Sequence, residues 1–279
     1  MRELKILVVL IFFVGLTYWG VEPYAHHVMH PEVAPADFTF KDLPKQPTTG
    51  DVAKGKELVA AQCTSCHSVN KEGIKLAMSD ADAANTYGVV PPDLSNVAAI
   101  YDHNFLANYI QNPEGTVKAK PGKYAMPALG ISAEDAGSIV AYLASIAAKD
   151  MSAKQITEEA CVRCHSIKYE GVSRLAATDA RIKEYMGSNP PDLSQMIKSK
   201  GEHYLDGFIN DPQKLLHGTA MPRVGLTKEA QAKVIEHLEK VGDPKKGERN
   251  SLALWILGYF AILTVITYLW KVSKFKEVH

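Results

Sequence analysis

The residues best suited to chemistry in this chain lie in two pentapeptides, CTSCH at residues 63–67 and CVRCH at residues 161–165. In a Cys-x-x-Cys-His pattern, the two thiols bond covalently to the porphyrin vinyl groups and the adjacent imidazole ligates the iron. The pattern therefore predicts two covalently bound c-type haem groups. The predicted attachment residues are Cys63, Cys66, Cys161 and Cys164, and the predicted proximal iron ligands are His67 and His165.

Other uses of four cysteines are a divided zinc site, a thioredoxin-like redox pair and two disulfide bonds. None of these needs a histidine directly after the second cysteine. A tetrathiolate zinc site would also require the two halves to meet, although they lie 98 positions apart in the sequence. Haem attachment accounts for both histidines, so it is the interpretation that we prefer.

Most of the chain between its ends is an internal repeat. The offsets between the copies are 98, 99, 99 and 95 residues, and the order of the blocks is preserved. The recurring blocks are EGI at 72–74 and EGV at 170–172, PPDLS at 91–95 and 190–194, YIQNP at 109–113 and FINDP at 208–212, and AMP at 125–127 and 220–222. This pattern predicts a tandem duplication, with one unit at residues 49–149 and the other at residues 150–242.

Each predicted unit opens and closes with a helix. Thr49 or Asp51 can cap the helix that leads into the first pentapeptide. Ser132 and Thr227 begin amphipathic closing helices that extend to about residues 148 and 241. A connector of about four residues, 149–152, holds the units side by side. The expected fold class is all-α.

Two apolar segments flank the repeat. Residues 6–21 follow Arg2 and Lys5 and predict a transmembrane signal-anchor within residues 1–21, with a cleaved signal peptide as the alternative. Residues 252–270 carry no charge and precede three lysines, which predicts a second transmembrane helix at 251–270 and a cytoplasmic tail at 271–279. Residues 22–48 read as an extended, proline-rich periplasmic linker, and residues 243–250 read as a polar linker.

The positions of the basic residues predict that both termini are cytoplasmic and that the haem units lie in the periplasm, at a bacterial inner membrane. The chain has 31 basic and 31 acidic side chains, so its net charge gives no indication of nucleic-acid binding.

A helix that runs into Cys-x-x-Cys-His resembles the opening of a class I cytochrome c. In that family a loop before the closing helix presents a methionine sulfur to the iron. Of the methionines, Met126 and Met221 occur in the duplicated Ala-Met-Pro block, so the resemblance assigns them as the sixth ligands. The other candidates are Met78, Met151, Met186 and Met196, and the rival imidazole ligands are His103, His203 and His217.

The same resemblance implies a role for two prolines. In the family, the carbonyl of a proline in a Pro-x-Leu turn accepts a hydrogen bond from the proximal histidine, which fixes the ring. In this sequence that role falls to Pro92 and Pro191, with a simple turn as the alternative.

Two haem groups with both axial positions filled predict one-electron transfer rather than an independent catalyst. The anchored, duplicated haem unit resembles the diheme, cytochrome c1-like subunit of certain bacterial cytochrome bc1 complexes, in which cytochrome b and a Rieske iron–sulfur protein are partners and a soluble cytochrome c accepts the electrons. The alternatives are a diheme subunit of a cbb3-type oxidase and a diheme enzyme such as a peroxidase or a thiosulfate dehydrogenase.

Overall fold

The computed structural model describes residues 2–29, 33–118, 126–175 and 178–276. In this part of the chain, regular secondary structure is helical and forms two units between two terminal helices, so the predicted all-α fold is confirmed. Met1, Ala125, residues 30–32 of the predicted linker and residues 277–279 of the predicted tail lie outside the described residues.

The first unit begins at Asp51, the second of the two predicted caps. Its carboxylate accepts hydrogen bonds from the backbone N–H groups of Ala53 (2.8 Å) and Lys54 (3.2 Å). This unit follows the N-terminal helices α1 (Arg2–Leu16) and α2 (Glu22–Met29). Its helices are α3 (Val52–Gln62), α4 (Asp80–Tyr87), α5 (Val97–Ile100), α6 (His103–Gln111), α7 (Pro113–Thr116) and α8 (Ala133–Ile146), with a 3-10 turn at Asn70–Glu72.

The opening and closing helices of the first unit, α3 and α8, pack directly on each other. Gly55 makes this crossing possible, because a Cβ atom there would lie 2.1 Å from the carbonyl oxygen of Ser138. The hydroxyl of Ser132 accepts a hydrogen bond from the N–H of Asp135 at 3.1 Å and starts α8, as predicted. The helix buries Ile139 and Leu143 and ends at Ile146.

The second unit repeats this arrangement. Ser152 caps its first helix through a capping box with Gln155. Thr227 accepts a hydrogen bond from the N–H of Ala230 at 3.1 Å and starts the closing helix, which packs on the opening one. The helices are α9 (Ala153–Cys161), α10 (Asp179–Met186), α11 (Met196–Lys200), α12 (Glu202–Asn210), α13 (Pro212–Leu215) and α14 (Lys228–Gly242), with 3-10 turns at Lys168–Glu170 and Leu193–Gln195.

The two units share apolar contacts. Ile182 of α10 is fully buried and packs with Ala84 of α4 and with Val90 of the first unit. Ile100 of α5 extends into the core of the second unit beside Leu226. The pair is therefore packed together and not merely joined by a connector.

The loop that carries Met221 lies against the first unit. The N–H of Asp102 donates to the carbonyl of Gly225 at 2.9 Å, and the N–H of Thr227 donates to the carbonyl of Ile100 at 3.0 Å. Gly225 has a φ of 79°, and a Cβ atom there would lie 2.2 Å from the ring of Phe105. Only glycine permits both this backbone conformation and this approach.

The N-terminal helix is longer than predicted. It comprises α1 (Arg2–Leu16), a π-helical turn (Thr17–Val21) and α2 (Glu22–Met29), so the prediction of extended backbone from residue 22 is wrong as far as Met29. Pro23 has no N–H to donate within a helix. The π turn, in which the N–H of Glu22 donates to the carbonyl of Thr17, widens the helix just before this proline and lets it continue.

The C-terminal helix, α15 (Lys246–Phe275), also begins before the predicted boundary, because most of the predicted polar linker is helical. It has 30 residues, and the N-terminal helix from Glu3 to Met29 has 27; both are long and apolar enough to cross a membrane. The side chains of both helices are exposed to their surroundings along their length, as lipid-facing residues are.

Residues 33–50, which we call the strap, connect the N-terminal helix region to both units. The N–H of Asp37 donates to Asn210 of the second unit at 2.9 Å. The N–H of Gln46 donates to Asn104 of the first unit at 2.8 Å, and the carbonyl of Pro44 accepts from Asn108 at 2.9 Å. The strap is therefore fastened to both halves of the repeat.

Candidate functional site

A cavity of about 420 Å³ lies where the two units meet, and both pentapeptides line it. Its wall is mainly apolar. The predicted site residues in the lining are Cys63, Cys66, His67, Pro92, Met126, Cys161, Cys164, His165 and Met221; Pro191 lies outside the lining. The structure thus brings together residues that the sequence separates by up to 158 positions (221 − 63).

Each pentapeptide forms a tight turn at the end of the opening helix of its unit. In the first, the N–H groups of Cys66 and His67 both donate to the carbonyl of Cys63, at 3.1 and 2.9 Å. In the second, Cys164 and His165 donate to Cys161 at the same two distances. Both thiols and the imidazole of each turn line the same cavity, which is the arrangement that covalent haem attachment needs.

The proximal histidines are held by proline carbonyls. The Nδ1 atom of His67 lies 2.8 Å from the oxygen of Pro92, and that of His165 lies 2.7 Å from the oxygen of Pro191. A carbonyl only accepts, so each Nδ1 carries the proton and each Nε2 is left with a lone pair for a metal. Burial lowers the pKa of both imidazoles, which keeps them in the neutral form that binds iron.

All four cysteines are free thiols rather than disulfides. Burial raises the pKa of the Cys63 thiol to about 11 and that of the Cys161 thiol to about 12, and it also raises the pKa of Cys164. A thioredoxin-like redox pair requires the opposite shift, because the thiolate is the reactive form. The burial of these three thiols therefore does not favour that alternative.

Methionine sulfur is available to both halves of the cavity. Met126 and Met221 line it from the two repeated loops, and Met186 of α10 also reaches it. By contrast, Met151 is buried in the core of the second unit, and Met196 packs against the same core. The lining agrees with Met126 and Met221 as sixth ligands, but these assignments stay predictions.

The rival imidazoles lie elsewhere. His103 occupies the first turn of α6, where its Nε2 atom is 3.0 Å from the carbonyl oxygen of Ala98. His203 and His217 are exposed on the surface. None of these three is part of the cavity lining, so a second imidazole is the less favourable choice for either site.

Several residues of the cavity wall were not predicted, among them Tyr101, Phe105, Tyr109, Tyr185 and Arg223. A signal existed for Tyr185, which lies 98 positions after Tyr87, the offset of the repeat. Tyr87 places its hydroxyl 3.6 Å from the sulfur of Cys66. Arg223 directly follows the second Met-Pro pair, but nothing in the sequence predicts that it is buried.

The residues present fit a haem c group. Paired thiols, a neutral imidazole with a fixed ring and a thioether sulfur converge on one apolar cavity, and this is the donor set that covalent haem with His/Met ligation uses. Among the described residues, no group of three or more His, Cys, Asp or Glu side chains could hold a zinc ion, and a disulfide framework has no use for the proline-bound imidazoles.

A family model described as "Cytochrome c" matches residues 52–147 and, a second time, residues 151–242. No curated protein matches the chain. One solved structure, described as "Hyperthermophilic respiratory Complex III", contains a chain that is similar to this protein, with 21% sequence identity and a TM-score of 0.38. The match covers 98% of this chain and 99% of the chain in that structure.

Proposed function

Since this chain belongs to the cytochrome c family and therefore transfers electrons through covalently bound haem c, we propose that it carries two haem groups and passes electrons between them. The observation that carries this proposal is the cavity lined by both pentapeptides. Two sites that share one cavity are suited to exchanging electrons without a separate docking step.

Haem c, when bound, supplies one-electron chemistry at its iron. Cys63, Cys66, Cys161 and Cys164 would hold the two groups covalently, and His67 and His165 would ligate the irons from one side. Pro92 and Pro191 would fix the histidine rings through the hydrogen bonds described above.

Other residues of the cavity wall would complete the two sites. Met126 and Met221 are the proposed sixth ligands, which would leave neither iron open to a substrate. Phe105 and Tyr109 add apolar wall beside them and restrict water. A site that is closed in this way supports electron transfer and does not favour a peroxidase or a thiosulfate dehydrogenase.

The terminal helices support a role at a membrane. Glu3 at the start of the N-terminal helix forms an ion pair with Lys271 near the end of α15, so the two chain ends meet at one level. Lys5, Lys271 and Lys274 cluster at that level, which is the cytoplasmic side by the positive-inside rule. We infer that both units lie on the periplasmic side.

We further propose that the protein is the cytochrome c subunit of a quinol–cytochrome c reductase of the bc1 type. In this role it would receive electrons from a Rieske protein beside cytochrome b and deliver them to a soluble cytochrome c. Two haem units placed between two spans in sequence support this assignment over a cbb3-type oxidase subunit, in which the spans precede the haem domains.

Purification of the full chain from membranes in mild detergent tests the assignment. We expect a b-type cytochrome and a Rieske iron–sulfur protein to co-purify with it, and quinol to reduce its haem groups. Co-purification with a haem–copper oxidase instead would contradict the proposal. A variant that ends at residue 245, before α15, is the matched control and should lose the partners while keeping both haem groups.

A further inference from the structure

Arg223 is a buried cation two residues after Met221 and is only 3% exposed. Its guanidinium forms a bidentate ion pair with Asp42 of the strap, with N–O distances of 2.8 and 2.9 Å. Its backbone N–H donates to the carbonyl of Val117 in the first unit at 2.9 Å. The loop that carries Met221 is therefore tied to both the strap and the first unit at this residue.

Asp42 also has a second cationic partner. The ammonium group of Lys118 lies 3.3 Å from its carboxylate and forms another ion pair with Asp211 of the second unit. Since two cations share the carboxylate, loss of Arg223 alone would not leave Asp42 uncompensated. Arg223 can therefore be changed without leaving an isolated charge on Asp42.

The strap is held firmly at the same place. Phe40 is 1% exposed, and its ring lies 4.8 Å from the Arg223 guanidinium and 5.2 Å from the ring of Phe105. Its φ of 45° is unfavourable for a residue with a bulky side chain. Such a backbone conformation persists only where the surrounding packing holds it, so Asp42 is presented to Arg223 from a fixed position.

The described residues of the methionine loop in the first unit show no matching ion pair to the strap. The position that corresponds to Arg223 in the first loop is Ala128, which is exposed. The ion pair to the strap is thus a feature of the second loop, and its effect should be confined to the second site.

We propose that Arg223 is a positioning residue which, through Asp42 and the strap, holds the Met221 loop closed over the second iron. The stability of the Met–iron bond in the second site then depends on a segment that leads to the N-terminal membrane helix. This inference rests on the proposed ligand role of Met221, and the experiment below distinguishes failure of the one from failure of the other.

The experiment titrates the oxidised, full-length protein with imidazole, which binds an iron only after its methionine has left. Apparent affinity therefore reports how often the loop opens. The variants are Arg223→Gln and the double variant Arg223→Gln/Asp42→Asn, in which both charges are removed. The control is Arg249→Gln, which removes a second bidentate Arg–Asp pair, to Asp243, at the start of α15. Met221→Ala identifies the second haem.

We expect Arg223→Gln to raise the imidazole affinity of the second haem by about tenfold, since a buried charged hydrogen bond holds the closed form. The double variant should show a similar rise, and Arg249→Gln should match the wild type at both sites. The optical band of the methionine-ligated ferric form should weaken in parallel.

Suppose that Arg223→Gln and the double variant both bind imidazole with wild-type affinity, while Met221→Ala opens one site. This result would overturn the positioning role of Arg223 and leave the assignment of Met221 as a ligand intact. If Met221→Ala itself changed neither site, the proposed ligand would be wrong and the inference would fall with it. An effect of Arg223→Gln on the first haem alone would also contradict the inference.

Discussion

The Nδ1 atom of His67 lies 2.8 Å from the carbonyl oxygen of Pro92. The second unit repeats the contact between His165 and Pro191 at 2.7 Å. The hydrogen bond that fixes the proximal imidazole is therefore nearly the same in the two sites. One clear difference between the two proposed sites lies in the methionine loops, where Ala128 of one loop corresponds to Arg223 of the other.

Replacing Pro92 by alanine should raise the reduction potential of the first haem by about 20 to 60 mV. For a one-electron couple, a shift of this size changes the equilibrium constant by up to about tenfold. Alanine lets the carbonyl turn away, so the imidazole becomes a weaker donor and stabilises ferric iron less. A redox titration measures the shift. Pro91→Ala removes the neighbouring proline but keeps the acceptor residue, so it should shift the potential less; equal shifts in the two variants would contradict the proposed role.

Replacing Met126 or Met221 by histidine should lower the potential of one haem by on the order of 100 mV, because imidazole stabilises ferric iron better than a thioether does. Each substitution should leave the other haem close to its wild-type potential. Met186→Leu is the matched control, since Met186 lines the same cavity but does not occur in the repeated block. A larger shift in Met186→Leu than in either histidine variant would reassign the sixth ligand.

The ion pair of Asp42 should make stability depend on pH in the acid range. Partial burial raises the pKa of Asp42, but hydrogen bonding and charge from Arg223 and Lys118 outweigh it and bring the value to about 2, below the ordinary 3.8. A lowered folded-state pKa adds stability above the ordinary value, and this contribution is lost as the pH falls from 3.8 towards 2.

Guanidinium unfolding of the wild type and of Asp42→Asn, followed from pH 6 down to about pH 2, measures this contribution. We expect the wild type to be the more stable protein at pH 6 and the difference to shrink below about pH 4. An unchanged difference at pH 2.5 would show that the carboxylate charge is not its source.

Replacing Ile182 by alanine should lower the free energy of unfolding by about 2 to 5 kcal/mol, and Ile182→Val by about 0.5 to 1.5 kcal/mol. The side chain is fully buried between α10 and α4, so the smaller residues leave a cavity at the contact between the units. Chemical denaturation in detergent provides the measurement. A loss below 0.5 kcal/mol in Ile182→Ala would mean that the units do not depend on this contact.

The local features of the fold could be predicted because they depend on short patterns. Asp51, Ser132 and Thr227 are caps that a few neighbouring residues determine. The helical course of residues 22–29 could not be predicted in this way, since Pro23 indicates a break and the π turn that accommodates it has no simple sequence pattern.

The candidate site likewise has residues that the sequence predicts and contacts that it does not predict. The pentapeptides and the repeated Ala-Met-Pro block identify the residues that could hold haem, because that chemistry needs particular residue types at particular spacings. The sequence did not predict that both sets line one cavity, or that Arg223 is buried against Asp42. These are contacts between distant segments, up to 181 positions apart, and depend on how the two units pack.

The most direct test of two closed, electron-transferring haem sites is spectroscopy of the oxidised full-length protein combined with a redox titration. We predict two haem groups per chain, both low-spin with methionine ligation, and two one-electron transitions. A single haem per chain, or a high-spin, five-coordinate haem at neutral pH in the native protein, would contradict this account.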